Sequence, residues 1–175
     1  MTMMSCLLIS GCNLSEKYAT RQLLKKMIGS TVVLPEKVTC IQGGNSFPMP
    51  GTLRTTPKFI VFVDSTECSM CRIDKLVHYK DLFEISYETG AFDVIILLST
   101  RKSEYQSIYE HLVFSEQPFP VYLDDNNHFL SINPFIPDKL SFHTLSVNDS
   151  NQVSLVGDPV YNETIMELFH KVFNL

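Results

Sequence analysis

The sequence predicts an α/β protein built on a mixed central sheet with helices on both faces. Two runs, Lys58-Phe59-Ile60-Val61-Phe62-Val63-Asp64 and Phe92-Asp93-Val94-Ile95-Ile96-Leu97-Leu98, are almost continuously apolar. Strands covered on both faces read this way, because neither set of alternating side chains reaches water. Apolar residues at helical spacing follow each run, so βα units with parallel strands and right-handed crossovers are expected. Late in the chain, residues 141–147 and 152–156 flank Asn148-Asp149-Ser150-Asn151. That tetrad favours a tight turn and predicts a hairpin, hence antiparallel pairing at one side of the sheet.

The elements follow in chain order. Ser15 is expected to cap a helix over 15–28, in which Leu24, Met27 and Ile28 share a face and Gly29 supplies the stop. Val32-Val33-Leu34 reads as a short strand ended by Pro35, and Val38-Thr39-Cys40-Ile41 as another that buries Cys40 as a small apolar side chain. Residues 42–57 carry Gly43, Gly44, Pro48, Pro50, Gly51 and Pro57, which predicts loop with room for one edge strand. Ile73, Leu76, Val77 and Phe83 predict a helix over 68–83; Tyr105, Ile108, Tyr109 and Leu112 predict one over 102–114. Phe119-Pro120-Val121-Tyr122-Leu123 reads as a third strand, and Asp124-Asp125-Asn126-Asn127 as a solvated turn. Ile165, Met166, Leu168, Phe169 and Val172 predict a closing helix over 162–173.

A chain of 175 residues, 45% hydrophobic and 19% charged, suits one domain that can fill a core. A net charge of −5, with no basic cluster interleaved with aromatics, argues against a nucleic-acid partner. No apolar run is long enough to span a bilayer. The N-terminus stands apart. Met1 to Gly11 carry no charge, include Leu7, Leu8 and Ile9, and end at Ile9-Ser10-Gly11-Cys12. This resembles the lipobox of bacterial lipoproteins. The resemblance implies a signal remnant over 1–11, lipidation at Cys12, a linker and helix over 12–30, and a folded domain over 31–175. It also implies export, to a periplasm-facing or surface location. Asn13, where an Asp would retain the protein at the inner membrane, leans toward the outer one. An exported location is oxidising, so a close cysteine pair there can cycle or stay oxidised.

Cys68-Ser69-Met70-Cys71 follows the first buried strand and opens the next helix. Free N–H groups and the positive helix end stabilise a thiolate at the first turn, which makes Cys68 the expected nucleophile. A two-residue spacer brings Cys71 close enough to resolve a mixed disulfide. Cys71, one turn in, is expected to be the more enclosed thiol, with Arg72 and Lys75 near the site.

Residues 58–83 resemble the active-site βα unit of the thioredoxin superfamily, and the chain from about 30 to 174 resembles its exported, membrane-anchored TlpA/ResA-like branch. The resemblance implies a thioredoxin-like fold without a cofactor. It implies catalytic Cys68 and Cys71 acting on exported protein thiols and disulfides with a redox partner, and a lipid anchor to the membrane. Departures from the pattern fall at three places. Glu67 stands where the family carries an aromatic, and opposes the thiolate. Phe62 stands where thioredoxin carries a buried acid, leaving Asp64 and Glu67 as candidate acid/base groups. Phe142 stands where a cis-proline precedes the hairpin strand. A non-proline cis bond costs about 2.5–4 kcal/mol. A trans bond and a looser, more exposed docking loop at Ser141 and Phe142 are therefore expected. Two other roles stay open for the pair: a structural disulfide in a protein-binding module, or a soft-metal thiol site with His143 as third ligand.

Overall fold

The computed structural model describes residues 9–125 and 127–175, with side chains from residue 14 onward apart from that of Arg54. Residues 1–8 and the Cys12 side chain lie outside the described residues, and with them the expected signal remnant and lipidation. Helix α1 covers Ile9–Met27; strands β1 and β2 cover Thr39–Gln42 and Asn45–Pro48. Strand β3, Lys58–Val63, leads through α2, Ser69–Ile73, and a 3₁₀ turn, Leu76–Tyr79, into α3, Lys80–Thr89. Then come β4 (Asp93–Ser99), α4 (Tyr105–Phe114), β5 (Val121–Asp124) and α5 (His128–Ile132). A 3₁₀ turn, Leu140–Phe142, opens the hairpin of β6 (Thr144–Val147) and β7 (Val153–Val156), and α6 (Glu163–Phe173) closes the chain. No helix among the described residues is long and apolar enough to cross a membrane.

The seven strands form one sheet in the order β2-β1-β5-β4-β3-β6-β7. Pairing is parallel between β3 and β4 and between β4 and β5, and antiparallel at β3–β6, β6–β7, β1–β5 and β1–β2. The expected mixed sheet is thus present, with helices on both faces. Alternate residues of the central strands divide between two cores. Phe59, Val61, Val63, Val94, Ile96 and Leu98 meet α2, α3, α4 and α6. Ile60, Phe62, Ile95, Leu97 and Tyr122 meet Met27 of α1 and Phe129 of α5. Every residue of β3 is buried, which is why its sequence shows no alternation. Edge-on contacts of Phe169 with Phe59 and Phe92, at 5.3 and 5.1 Å between centroids, hold α6 against the first core.

Four expectations are corrected. Helix α1 begins at Ile9, so Ser15 lies inside it and caps nothing; Gly29 does stop it, at φ 82°. Residues 32–35 form no strand. Val32 and Leu34 are buried as strand alternation would have them, but the partner is a side chain. The Val33 N–H donates to Asn133 Oδ1 at 2.8 Å, and Asn133 Nδ2 donates back to Val33 O at 2.8 Å. A fully buried amide therefore satisfies both backbone groups of Val33, while the Val32 N–H donates to Asn151 O of the hairpin turn at 2.7 Å. The single helix expected over 68–83 is broken into α2, a 3₁₀ turn and α3, with neither Pro nor Gly to mark the break. Asp124, expected in a solvated turn, is fully buried, where its Oδ2 accepts from Ser99 Oγ and from the Phe129 N–H, both at 3.0 Å. Asn126 of that turn lies outside the described residues.

Two buried polar residues went unforeseen. Lys58 opens β3 fully buried and donates to Asn151 Oδ1 at 2.6 Å, which ties the strand to the hairpin turn; burial pushes its pKa down. Tyr79 OH donates to Asp158 Oδ2 at 2.6 Å and pins the 3₁₀ turn to the segment before α6.

Cys40 is buried as expected, and burial pushes its thiol from 9.0 up to about 11, against the opposing effect of a hydrogen bond with Tyr122. The folded state therefore holds this proton where the unfolded chain releases it. The stability Cys40 contributes is complete below pH 9 and lost as pH rises toward 11. Urea titrations from pH 8 to 10.5 should show stability falling faster in the wild type than in Cys40→Ala, by up to about 1.4 kcal/mol per pH unit.

Candidate active site

Strand β3 runs out at Asp64, and the turn that follows is closed by its own side chains. Asp64 Oδ1 accepts from the Thr66 N–H at 2.8 Å, and Asp64 O accepts from the Glu67 N–H at 2.9 Å. Glu67 Oε1 in return accepts from the Asp64 N–H at 3.1 Å. These reciprocal bonds satisfy the backbone at the strand end and fix where residue 68 begins the next element. They also account for the two acids considered for proton transfer. Asp64 is buried and committed to the turn, and Glu67 shares its second oxygen with Arg72 at 3.6 Å from Nε.

Cys68 is the N-cap of α2. Its Sγ accepts from the Cys71 N–H at 3.3 Å, and its carbonyl accepts from the Arg72 N–H at 3.1 Å. Cys68 and Cys71 are joined as a disulfide, with Cα atoms 5.3 Å apart. Because α2 has only five residues, its dipole is small. The local N–H bond to sulfur is what favours a thiolate at Cys68 over one at Cys71. The expected difference in access is corrected: Cys68 and Cys71 are both exposed, because the break after Ile73 leaves no long helix to cover the second sulfur.

A cleft of about 700 Å³ opens against Glu67 and Arg72, the residues that flank the pair in the chain. Glu67 and Arg72 form one side of it, Leu140, Ser141, Phe142 and Thr144 another, and Gly157, Asp158 and Tyr161 a third. Thr20 and Leu24 of α1 also line it. Gly157 has a φ of 127°, which L side chains rarely adopt, and a Cβ there would also stand 3.1 Å from Ile165 Cδ1. The contribution of α1 was invisible in the sequence, because its register against the cleft depends on how Leu23, Leu24 and Met27 pack.

The loop at Ser141 and Phe142 is part as expected and part not. No cis peptide bond occurs among the described residues, Ser141–Phe142 included. Ser141 is exposed, but Phe142, expected in a loose groove, is 2% exposed and belongs to the second core. The Phe142 side chain turns inward and anchors the loop. His143 is likewise buried, with Nε2 3.0 Å from Pro137 O and its ring edge-on to Phe62 at 5.1 Å between centroids. It does not cluster with the cysteines. Among the described residues, the one group of His, Cys, Asp or Glu compact enough for an ion is Asp124, Asp125 and His128. The soft-metal reading of Cys68, Cys71 and His143 has no geometry behind it.

These features define a thioredoxin-like fold with an oxidised C-x-x-C pair at its strand-to-helix turn. The crystal structure of a candidate thiol-disulfide oxidoreductase from Bacteroides vulgatus matches with a TM-score of 0.55 at 14% identity, over 85% of this chain and 98% of that one. The solution structure of a candidate protein disulfide isomerase from Bacteroides thetaiotaomicron matches with a TM-score of 0.50 at 16% identity, over 84% of this chain and 87% of that one. At such identities the likeness is one of fold. No family model and no curated protein sequence matches the chain.

The Glu67–Arg72 pair sets opposing charges beside Cys68, and separating them should move its thiol in opposite directions. Glu67→Gln keeps the acceptor for the Asp64 N–H and frees the guanidinium, so the pH midpoint for alkylation of reduced Cys68 should fall. Arg72→Met leaves the carboxylate uncompensated, so the midpoint should rise. Shifts of about half a pH unit are expected for a half-exposed pair, and shifts of the same sign in both variants would refute the arrangement.

Proposed function

We propose that this chain is a thiol-disulfide oxidoreductase, exported and held at a membrane by lipid on Cys12, acting on disulfides of exported proteins. The observation that carries the redox reading is the exposed Cys68–Cys71 disulfide at the cap of α2, beside an open cleft. A staple would be poorly placed there. The bond joins residues only three apart, so the loop-closure entropy it removes is worth about 2 kcal/mol, against about 4.7 for a hundred-residue loop. A reactive bond needs what this one has: sulfurs open to attack, and an N–H that stabilises the leaving or attacking thiolate.

In the proposed reaction the reduced pair attacks a substrate disulfide through the Cys68 thiolate, forming a mixed disulfide and releasing one substrate thiolate. Cys71, as thiolate, then attacks Cys68 Sγ and expels the second substrate thiolate. Cys68–Cys71 is left oxidised, the substrate is left as a dithiol, and the electron pair has passed from protein to substrate. The reverse sequence oxidises a substrate dithiol. Substrate backbone would lie in the cleft along Leu140–Thr144, whose trans loop is held from below by Phe142. The lipid anchor and the export route rest on Ile9-Ser10-Gly11-Cys12.

Cys71→Ser should accumulate mixed disulfides through Cys68, since nothing remains to resolve them, whereas Cys68→Ser should trap almost nothing. Non-reducing gels of the two variants after exposure to a disulfide-bonded test protein read the difference. Equal trapping, or none by either, would remove the catalytic reading in favour of a staple. In the same cells, labelled fatty acid should enter the wild type and not Cys12→Ser; equal label would remove the anchor alone.

A further inference from the structure

Helix α1 is more than a spacer before the domain. One side packs inward through Leu23, Leu24 and the fully buried Met27. Its other side exposes Leu14, at 75%, and Tyr18, at 67%, together with the exposed Lys17, Arg21 and Lys25. At 3.6 residues per turn these five side chains fall within an arc of about 100°. No acidic residue shares the arc. Glu16 lies on another side of the helix and is paired with Lys139 at 3.4 Å. The stripe also runs against the chain as a whole, whose net charge is −5.

We propose that this face of α1 docks on an anionic lipid surface. Water alone accounts for the three cations but not for two large apolar side chains set among them. An interface of headgroups and acyl chains accounts for both. Leu14 and the Tyr18 ring enter the acyl boundary while Lys17, Arg21 and Lys25 extend their stems over it and reach lipid phosphates. The occupant is a bilayer because three cations with no acid among them in the arc complement anionic headgroups, and because the same helix runs back through Cys12, which resembles a lipidation site. The proposal deepens the anchored-oxidoreductase reading and rests on it for location only. Since Thr20 and Leu24 of the same helix line the cleft beside Cys68–Cys71, docking would hold the redox site against the membrane. It would favour substrates that lie close to the bilayer.

The test uses the full chain carrying Cys12→Ser, so that no lipid contributes, floated with vesicles of phosphatidylglycerol and phosphatidylcholine or of phosphatidylcholine alone. Binding to the anionic vesicles is expected, weakening with salt, and at least about tenfold weaker on the neutral ones. Lys17→Gln, Arg21→Gln and Lys25→Gln should each lower affinity about fivefold. Leu14→Ser with Tyr18→Ser should also weaken it, and Lys26→Gln, outside the stripe, should leave it unchanged. Circular dichroism confirms that each variant is folded. No binding to anionic vesicles, equal binding to both kinds, or stripe variants that bind like Lys26→Gln would overturn the proposal. None of these outcomes bears on trapping by Cys71→Ser or on lipid label at Cys12.

Discussion

The burial of β3 on both faces, and its abrupt end at Asp64, constrain everything around the site. A strand with every residue covered cannot slide or tilt without moving both cores, so its end is a fixed point. The reciprocal bonds of Asp64 and Glu67 convert that fixed point into a turn of set length, and the next residue is Cys68. Cap geometry then follows with no further choice: the sulfur accepts an N–H, and Cys71 stands within bonding distance. The rest of the molecule supports this arrangement. Tyr79 and Asp158 fasten the broken helix to the far side of the cleft. Lys58, at the other end of β3, is held by the hairpin turn.

Much of this was legible from residues alone, and the exceptions share a cause. Strands β3 and β4, the crossovers and the hairpin were readable because burial on two faces and turn chemistry leave local marks. The Cys68–Cys71 pair was readable because its spacing and its place after a buried strand are both local. What failed depended on distant partners. Residues 32–35 had strand alternation, but the Asn133 side chain, a hundred positions away, satisfies both backbone groups of Val33. The helix over 68–83 broke without a breaker residue. Phe142 was expected to open the groove because only the missing proline was visible; its burial depended on room in the second core.

The turn before α2 and the loop before β6 are each held by a side chain. Glu67 closes the turn through its two carboxylate oxygens, one accepting from the Asp64 N–H and the other facing Arg72. Phe142 anchors its loop by burial in the second core. The charge of Glu67 beside Cys68 is balanced within the turn by Arg72. Helix α1 adds Thr20 and Leu24 to the wall of the cleft.

The central claim is that Cys68–Cys71 is a working redox couple and not a staple, and the reduction potential of the pair tests it most directly. Equilibration of the purified protein against glutathione mixtures, or against dithiothreitol mixtures at lower potentials, with alkylation of the free thiols to read the oxidised fraction, gives that number. An exposed bond in a short loop, with an N–H that stabilises the reduced thiolate, should have a potential above about −300 mV. A value below that, in the range of disulfides that resist the glutathione pool, would contradict the account and make the pair structural.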